Sequence, residues 1–196
     1  MRIDERIRAL RADALQRRIP VMDEATLQYL LTVLAALRPL KILEIGTAVG
    51  LSAAAMLSAC PTAHVTTVEI DEDRYSEAKK NLSDLGLADR VTCYLGDAGE
   101  ILAMMDAKYD FVFMDGPKAQ YPRYMSELNR MLDKGGVIFA DDVLLFGWVS
   151  GQTPTPEKHK PFVRKMREYL QELTANKDFI TTVLDIGDGV ALSVKR

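Results

Sequence analysis

Three aspartates hold the most specific chemistry in the chain. Asp115 closes the apolar run 109–114, and Asp141-Asp142 closes the run 136–140. If the two runs are neighbouring strands, three carboxylates converge at one end of a sheet and repel one another. A hard divalent cation with oxygen ligands relieves that repulsion; Mg2+ fits, and Mn2+ is equally acceptable to the same donors. The competing role for Asp141 or Asp142 is to cap the turn that follows. Two further acids stand at strand ends. Glu69, in Val68-Glu69-Ile70-Asp71, lies nineteen positions after Gly50, where a carboxylate can accept from both hydroxyls of a ribose and repel a 2′-phosphate. Asp97, in Gly96-Asp97-Ala98, is placed to meet an adenine edge. Each of these acids also has an ordinary use as a turn or helix-cap residue.

Positioning such residues requires a sheet whose strands end together. Short apolar runs at 41–45, 64–70, 91–96, 109–114 and 136–140 alternate with helical patterns at 52–59, 73–85, 98–105 and 121–132. That alternation predicts a parallel sheet with helices on its faces. A helix over 23–37, with Asp23 as its N-cap and Pro39 as its stop, precedes the first strand. The first strand runs into Glu44-Ile45-Gly46-Thr47-Ala48-Val49-Gly50. Gly46 and Gly50 allow a tight turn and a close ligand approach, but the spacing is not the G-x-G-x-x-G of NAD or FAD proteins. After the fifth strand, a segment with Gly147, Gly151, Pro154 and Pro156 reads as a mobile loop, followed by a charged helix over 160–175. The runs 179–186 and 190–195, joined by Gly187-Asp188-Gly189, read as a β-hairpin, so at least one late strand is antiparallel. The expected organisation is a single domain over 1–196, with a helical N-terminal cap (1–38) and a substrate-side loop (146–162).

With 196 residues, 25 Lys plus Arg, 28 Asp plus Glu and a net charge of −3, the chain has the balance of one globular domain. No apolar stretch approaches the ~20 residues of a bilayer span, and no signal-peptide pattern opens the chain, so no membrane partner and a cytoplasmic location are expected. Cys60 and Cys93 offer neither a disulfide framework nor a zinc site. Two segments lean basic: Arg2, Arg6, Arg8, Arg11, Arg17 and Arg18, then Lys158, Lys160, Arg164, Lys165 and Arg167. They serve either as solvated helix faces or as a local phosphate-binding patch.

The segments PVMDEATLQYL, ILEIGTAVGLSA, TTVEID, YLGDA, YDFVFMDGPKAQY, GGVIFADDVL and IGDGVALS resemble the metal-dependent class I S-adenosylmethionine O-methyltransferases of the catechol and caffeoyl-CoA type. The resemblance spans about 20–196. It implies an α/β, Rossmann-like class I methyltransferase fold: a seven-stranded, mostly parallel sheet with an antiparallel last strand and helices on both faces. It also implies that Met22, Glu44, Gly46, Thr47, Ser52, Glu69, Gly96, Asp97, Ala98 and Asp115 surround S-adenosylmethionine, and that Asp115, Asp141 and Asp142 hold the cation. Asp142 departs from the pattern, which has Asn there. Lys118 matches the lysine that acts as general base in the catechol enzymes.

Within that family the chain is most similar to bacterial tRNA 5-hydroxyuridine methyltransferases, through IPVMDEA, KAQY, the segment after DDVL, and IGDG. The implied reaction converts 5-hydroxyuridine in the tRNA anticodon loop to 5-methoxyuridine. Small catechol-like phenols are the alternative acceptors, although Pro117 replaces an aromatic and Ala191 replaces an acid of the animal catechol enzymes. Phe146 and Trp148, together with Lys118, are the candidate substrate contacts, and packing is the competing role for the two aromatics. A non-catalytic adenosine- or RNA-binding module is a third reading. The Arg-rich N-terminus is expected to support a homodimer.

Overall fold

Buried apolar runs and capped helices alternate as the pattern requires. In the computed structural model, which describes residues 4–196, the order is α1 (Glu5–Gln16), α2 (Glu24–Leu37), β1 (Lys41–Ile45), α3 (Leu51–Ala59), β2 (His64–Glu69), α4 (Glu72–Asp84), β3 (Val91–Leu95) and α5 (Ala98–Met104), followed by β4 (Tyr109–Met114), α6 (Tyr121–Met131), β5 (Leu132–Ala140), α7 (Lys160–Ala175), β6 (Phe179–Leu184) and β7 (Val190–Lys195). Arg2, one member of the first basic segment, lies outside the described residues.

The strands form one seven-stranded sheet in the order β3-β2-β1-β4-β5-β7-β6. The pairs β1–β2, β1–β4, β2–β3 and β4–β5 are parallel, while β7 is antiparallel to both β5 and β6. This is the expected Rossmann-like architecture with its antiparallel last strand. Alternation along β4 sends Phe111 and Phe113 to the face covered by α1, α2 and α3, and Val112 and Met114 to the face covered by α5, α6 and α7. Among the described residues no helix is long and apolar enough to cross a membrane.

Local chemistry explains the helix boundaries. Asp23 accepts from the amides of Ala25 (2.8 Å) and Thr26 (3.1 Å), which starts α2 as expected. The helix ends at Arg38, in the left-handed conformation (φ 50°), immediately before Pro39. Most boundaries fall within one or two residues of the sequence reading, and two differ by more. β5 begins at Leu132 rather than 136, because Leu132 pairs with Tyr109 before the register shifts to Phe111–Val137. The 146–162 segment is a run of turns only as far as a 3-10 turn at Glu157–His159, where α7 takes over. N-terminally, Arg17 bonds to Asp13 and to both carboxylate oxygens of Glu77, pinning the end of α1 to α4. Arg11 donates to the Met22 carbonyl (2.6 Å), fixing the 20–23 segment across the ends of the strands.

Arg38 is exposed, and a non-glycine residue in the left-handed region is strained. Arg38→Gly relieves that strain at some cost in unfolded-chain entropy. The expected net result is a Tm higher by about 2 °C in thermal denaturation; an unchanged or lower Tm would show that the arginine side chain contributes more than its backbone costs.

Candidate active site

β1 is flanked by β2 on one side and β4 on the other, so the connections leaving β1 and β4 part company at their carboxyl ends. Open α/β sheets bind ligands in the crevice made at such a point. Here it is a cavity of about 880 Å³. Gly46 lets the two strand ends meet: at φ +99° it occupies backbone space that a side chain would clash with, since a Cβ there would lie 2.6 Å from the Asp115 carbonyl oxygen. The cavity wall carries seven acids (Asp23, Glu69, Asp71, Asp115, Asp141, Asp142, Asp188) against three bases (Arg11, Arg74, Lys118).

On the β2 side, one oxygen of Glu69 accepts from the Ala48 amide (2.8 Å) and the other from the Ile70 (2.9 Å) and Asp71 (3.0 Å) amides. These bonds lock the carboxylate in place while it still faces the cavity, where its remaining lone pairs can accept from ligand hydroxyls. Beneath the Gly46 turn, Glu44 is completely buried and accepts from the hydroxyls of Ser52 and Thr67. Burial pushes its carboxyl up to about 8, against the pull of those two hydroxyls.

On the β4–β5 side, each of Asp115, Asp141 and Asp142 offers an oxygen within 4.8 Å of the others. Asp141 is 2% exposed, and its side chain accepts from the Asp142 amide (2.8 Å). Burial, then the charges of Asp115 and Asp142, raise its carboxyl to about 8. Asp115 is raised by burial and drawn down by Lys118. The Lys118 Nζ stands 2.6 Å from Asp115 and 3.2 Å from Asp142. Burial opposes its charge, but Tyr121 and these two carboxylates more than compensate and hold the ammonium well above its ordinary range. In this geometry Lys118 is therefore a hydrogen-bond donor, and it can act as a base only when another cation takes over the carboxylates. The donor set suits such a cation: three hard oxygens from two adjacent strands, one deeply buried and short of positive charge.

The structure brings Met22, Gly46, Thr47, Ser52, Glu69, Asp115, Lys118, Asp141, Asp142 and Phe146 to the cavity wall. Five of the expected contacts lie elsewhere. Glu44 sits below the floor, satisfied by Ser52 and Thr67, and acts on the site through Ser52. Gly96, Asp97 and Ala98 follow β3, at the sheet edge farthest from the carboxylate cluster. Asp97 caps α5 through the Glu100 amide (3.0 Å) and faces Arg123 (3.3 Å). Trp148 turns away to stack on His159, ring centroids 4.9 Å apart. The sequence reading did not assign five charged wall residues to the site: Arg11, Asp23, Asp71, Arg74 and Asp188. Asp188 was legible only as a hairpin turn; because β7 runs antiparallel, that turn comes back beside the end of β5, where Asp188 accepts from the Leu144 (2.8 Å) and Leu145 (3.1 Å) amides through its carbonyl. Its carboxyl is raised by burial and by Asp142.

Comparison with known proteins gives this constellation a class. Residues 4–196 match the family described as O-methyltransferase, and the chain belongs to that family. A catechol O-methyltransferase of Niastella koreensis is 32% identical over 165 residues, covering 79% of this chain and 73% of the relative. A caffeoyl-CoA O-methyltransferase of Populus kitakamiensis is 27% identical over 182 residues, covering 89% of this chain and 76% of the relative. Among solved structures, a candidate caffeoyl-CoA O-methyltransferase from Staphylococcus aureus superposes with a TM-score of 0.90 at 32% identity, covering 97% of this chain and 92% of that one.

Two outcomes follow. Adding a methyl group at Gly46 should push the Asp115 backbone away, so Gly46→Ala is expected to weaken S-adenosylmethionine binding by at least about 10-fold in calorimetry, a loss of ~1.4 kcal/mol. For Glu44, the folded state keeps its proton up to pH about 8 whereas the unfolded chain releases it near 4.5. The native form thus binds more protons across that window, and stability falls as pH rises through it. Glu44→Gln should flatten this decline, with a Tm that matches wild type best near pH 5 and exceeds it most at pH 8 to 9; parallel Tm profiles would place the proton elsewhere.

Proposed function

We propose that the chain is an S-adenosylmethionine-dependent O-methyltransferase that requires a divalent cation, Mg2+ or Mn2+. The observation that carries this reading is the concentration of acids in one cavity: a wall with seven acids and three bases suits a positively charged donor and a metal ion together. Asp115, Asp141 and Asp142 would hold the cation, and Glu69 would accept from the ribose hydroxyls of the donor. When bound, the donor supplies a sulfonium methyl group, and the cation lowers the pKa of a hydroxyl that shares it.

The remaining work falls to the chain's own residues. Lys118, which lies against Asp115 and Asp142, would be the group to take the acceptor proton at Nζ once those carboxylates have another partner. The 12% exposure of its side chain keeps bulk water from competing for that proton. Met22 and the 20–23 segment, held by Arg11, close the donor side of the cavity. The common demand on an acceptor is a hydroxyl beside a second oxygen, so that both face the carboxylate cluster and one points at the methyl group.

As acceptor we propose 5-hydroxyuridine in a tRNA anticodon loop, whose 5-hydroxyl and 4-carbonyl oxygens form such a pair. Arg11 and Arg74 on the cavity wall, and exposed Lys158, Lys160 and Lys165 beyond it, provide cations for phosphates. An unpaired loop lets the base leave its stack at low cost. A small catechol-like phenol is the second reading, supported by the catechol O-methyltransferase of Niastella koreensis.

Purified protein, labelled donor and Mg2+ offered both to tRNA carrying 5-hydroxyuridine and to catechol should label the tRNA, with 5-methoxyuridine found by nucleoside mass spectrometry. Label on catechol alone would remove the RNA acceptor. In the same assay Lys118→Met is expected to lower kcat by about 100-fold while leaving donor affinity near wild type; an unchanged kcat would show that the metal alone activates the hydroxyl.

A further inference from the structure

One exposed aromatic ring in the cavity wall is left unused by the chemistry above. Phe146 is 62% exposed although it is large and apolar. Its backbone is strained into the left-handed region (φ 57°), directly after Leu145 in the same conformation (φ 49°). Non-glycine residues hold that conformation only when their surroundings enforce it. Here the Asp188 carbonyl accepts from the Leu144 and Leu145 amides (2.8 and 3.1 Å), and Thr153 Oγ1 donates to the Phe146 carbonyl (2.5 Å). The strain therefore maintains a ring in water rather than in the core.

Behind Phe146 the aromatic series continues. Trp148 meets it edge-on, with centroids 5.1 Å apart and planes at 62°. His159 then stacks on Trp148 at 4.9 Å and 19°. Arg167 secures the series from below, donating to the carbonyls of Trp148 (2.8 Å) and Val149 (2.9 Å). His159 is flanked in the chain by Lys158 and Lys160, both exposed, with Lys160 paired to Glu157 (2.5 Å), so the outer end of the series carries one unshared ammonium and one that a phosphate could draw from its exposed partner. A rigid exposed ring beside cations is how single-stranded nucleic acid is held: bases stack on the aromatic face, and phosphates meet the charges. A small phenol wholly inside the cavity has no use for the outer half of this arrangement.

We propose that Phe146, backed by Trp148 and His159, is a stacking platform for a nucleotide next to the methylated one in a single-stranded RNA loop, with Lys158 and Lys160 meeting its phosphates. This rests on the RNA acceptor reading and adds a second contact point to it. The methylated base enters the cavity; its neighbour remains outside, stacked on Phe146. The strained turn gives the platform its rigidity, and the platform gives the enzyme a preference for a loop over a free nucleoside.

Trp148 is the sole tryptophan, so intrinsic fluorescence reports directly on this surface. The probe is a stem–loop RNA with unmodified uridine at the target position, titrated in the absence of any reaction. Binding should quench the emission. Phe146→Ala should weaken the loop by about 10-fold, as measured by filter binding, with Phe146→Tyr close to wild type. An abasic site beside the target should cost wild type a similar factor and cost Phe146→Ala little more. Thermal melts and donor affinity keep a folding defect apart from a lost platform. An abasic loop bound as tightly as the intact one, or folded Phe146→Ala binding the loop like wild type, overturns the proposal. So does methylation of free 5-hydroxyuridine as efficient as that of the loop, an outcome that would leave the acceptor reading standing; transfer to catechol alone would end both.

Discussion

Acidic groups held out of water at the carboxyl ends of β4 and β5 are the constraint on which this molecule turns. A carboxylate as buried as Asp141 has lost most of its hydration, and its neighbours Asp115 and Asp142 add repulsion instead of relief. Lys118 offsets part of this by lying against Asp115 and Asp142, and the proton that Asp141 keeps up to pH about 8 offsets more. The site is thus most comfortable when it holds more positive charge than the chain itself provides. A proton on Asp141 is one answer to that shortage, and the cation proposed above would be another.

The rest of the architecture keeps the shortage in place. Parallel pairing of β4 with β5, Met114 beside Ala140, makes Asp115 and Asp141 emerge at one level, so the cluster needs no long-range adjustment. The absent side chain at Gly46 brings the β1 turn against the Asp115 backbone. Beneath it, Glu44 remains neutral over the range in which a surface glutamate would be charged, and joins β1, β2 and α3 through Ser52 and Thr67. Gly187, in the middle of the β6–β7 turn, packs so closely on the N-cap of α2 that a Cβ there would lie 2.0 Å from Asp23 Oδ2. An early segment, 20–23, and a late one, 187–188, are thereby drawn to the same wall of the cavity.

The surface outside the cavity answers to a different rule. Inside, acids prevail; along the 146–160 segment, an exposed phenylalanine, a tryptophan–histidine stack and lysines prevail. A positively charged donor suits the acidic cavity, whereas the polyanionic acceptor proposed above would meet its cations outside it, at Lys158 and at the exposed Lys160–Glu157 pair. The family to which the chain belongs accounts for the transfer of a methyl group to oxygen, while the outer surface is where the choice of acceptor can be made.

The periodicity of apolar residues sufficed to order five β/α units and a closing hairpin, because burial on a sheet face or a helix stripe is a local demand written every second or every third to fourth residue. The same local grammar placed Asp115, Asp141, Asp142 and Glu69 at strand ends. What it could not show is which strand ends become neighbours in space. Asp97 resembles Glu69 in its position after a strand, yet β3 lies at the sheet's edge and Asp97 is engaged by α5 and Arg123. Glu44 has the type of a ligand contact but the depth of a core residue. Asp188 reads as a turn residue and reaches the cavity only because β7 reverses direction next to β5. Residue type and spacing determined what the chain is able to do; strand order and depth, which follow from pairings between distant segments, decided which of its acids stand where that chemistry can occur.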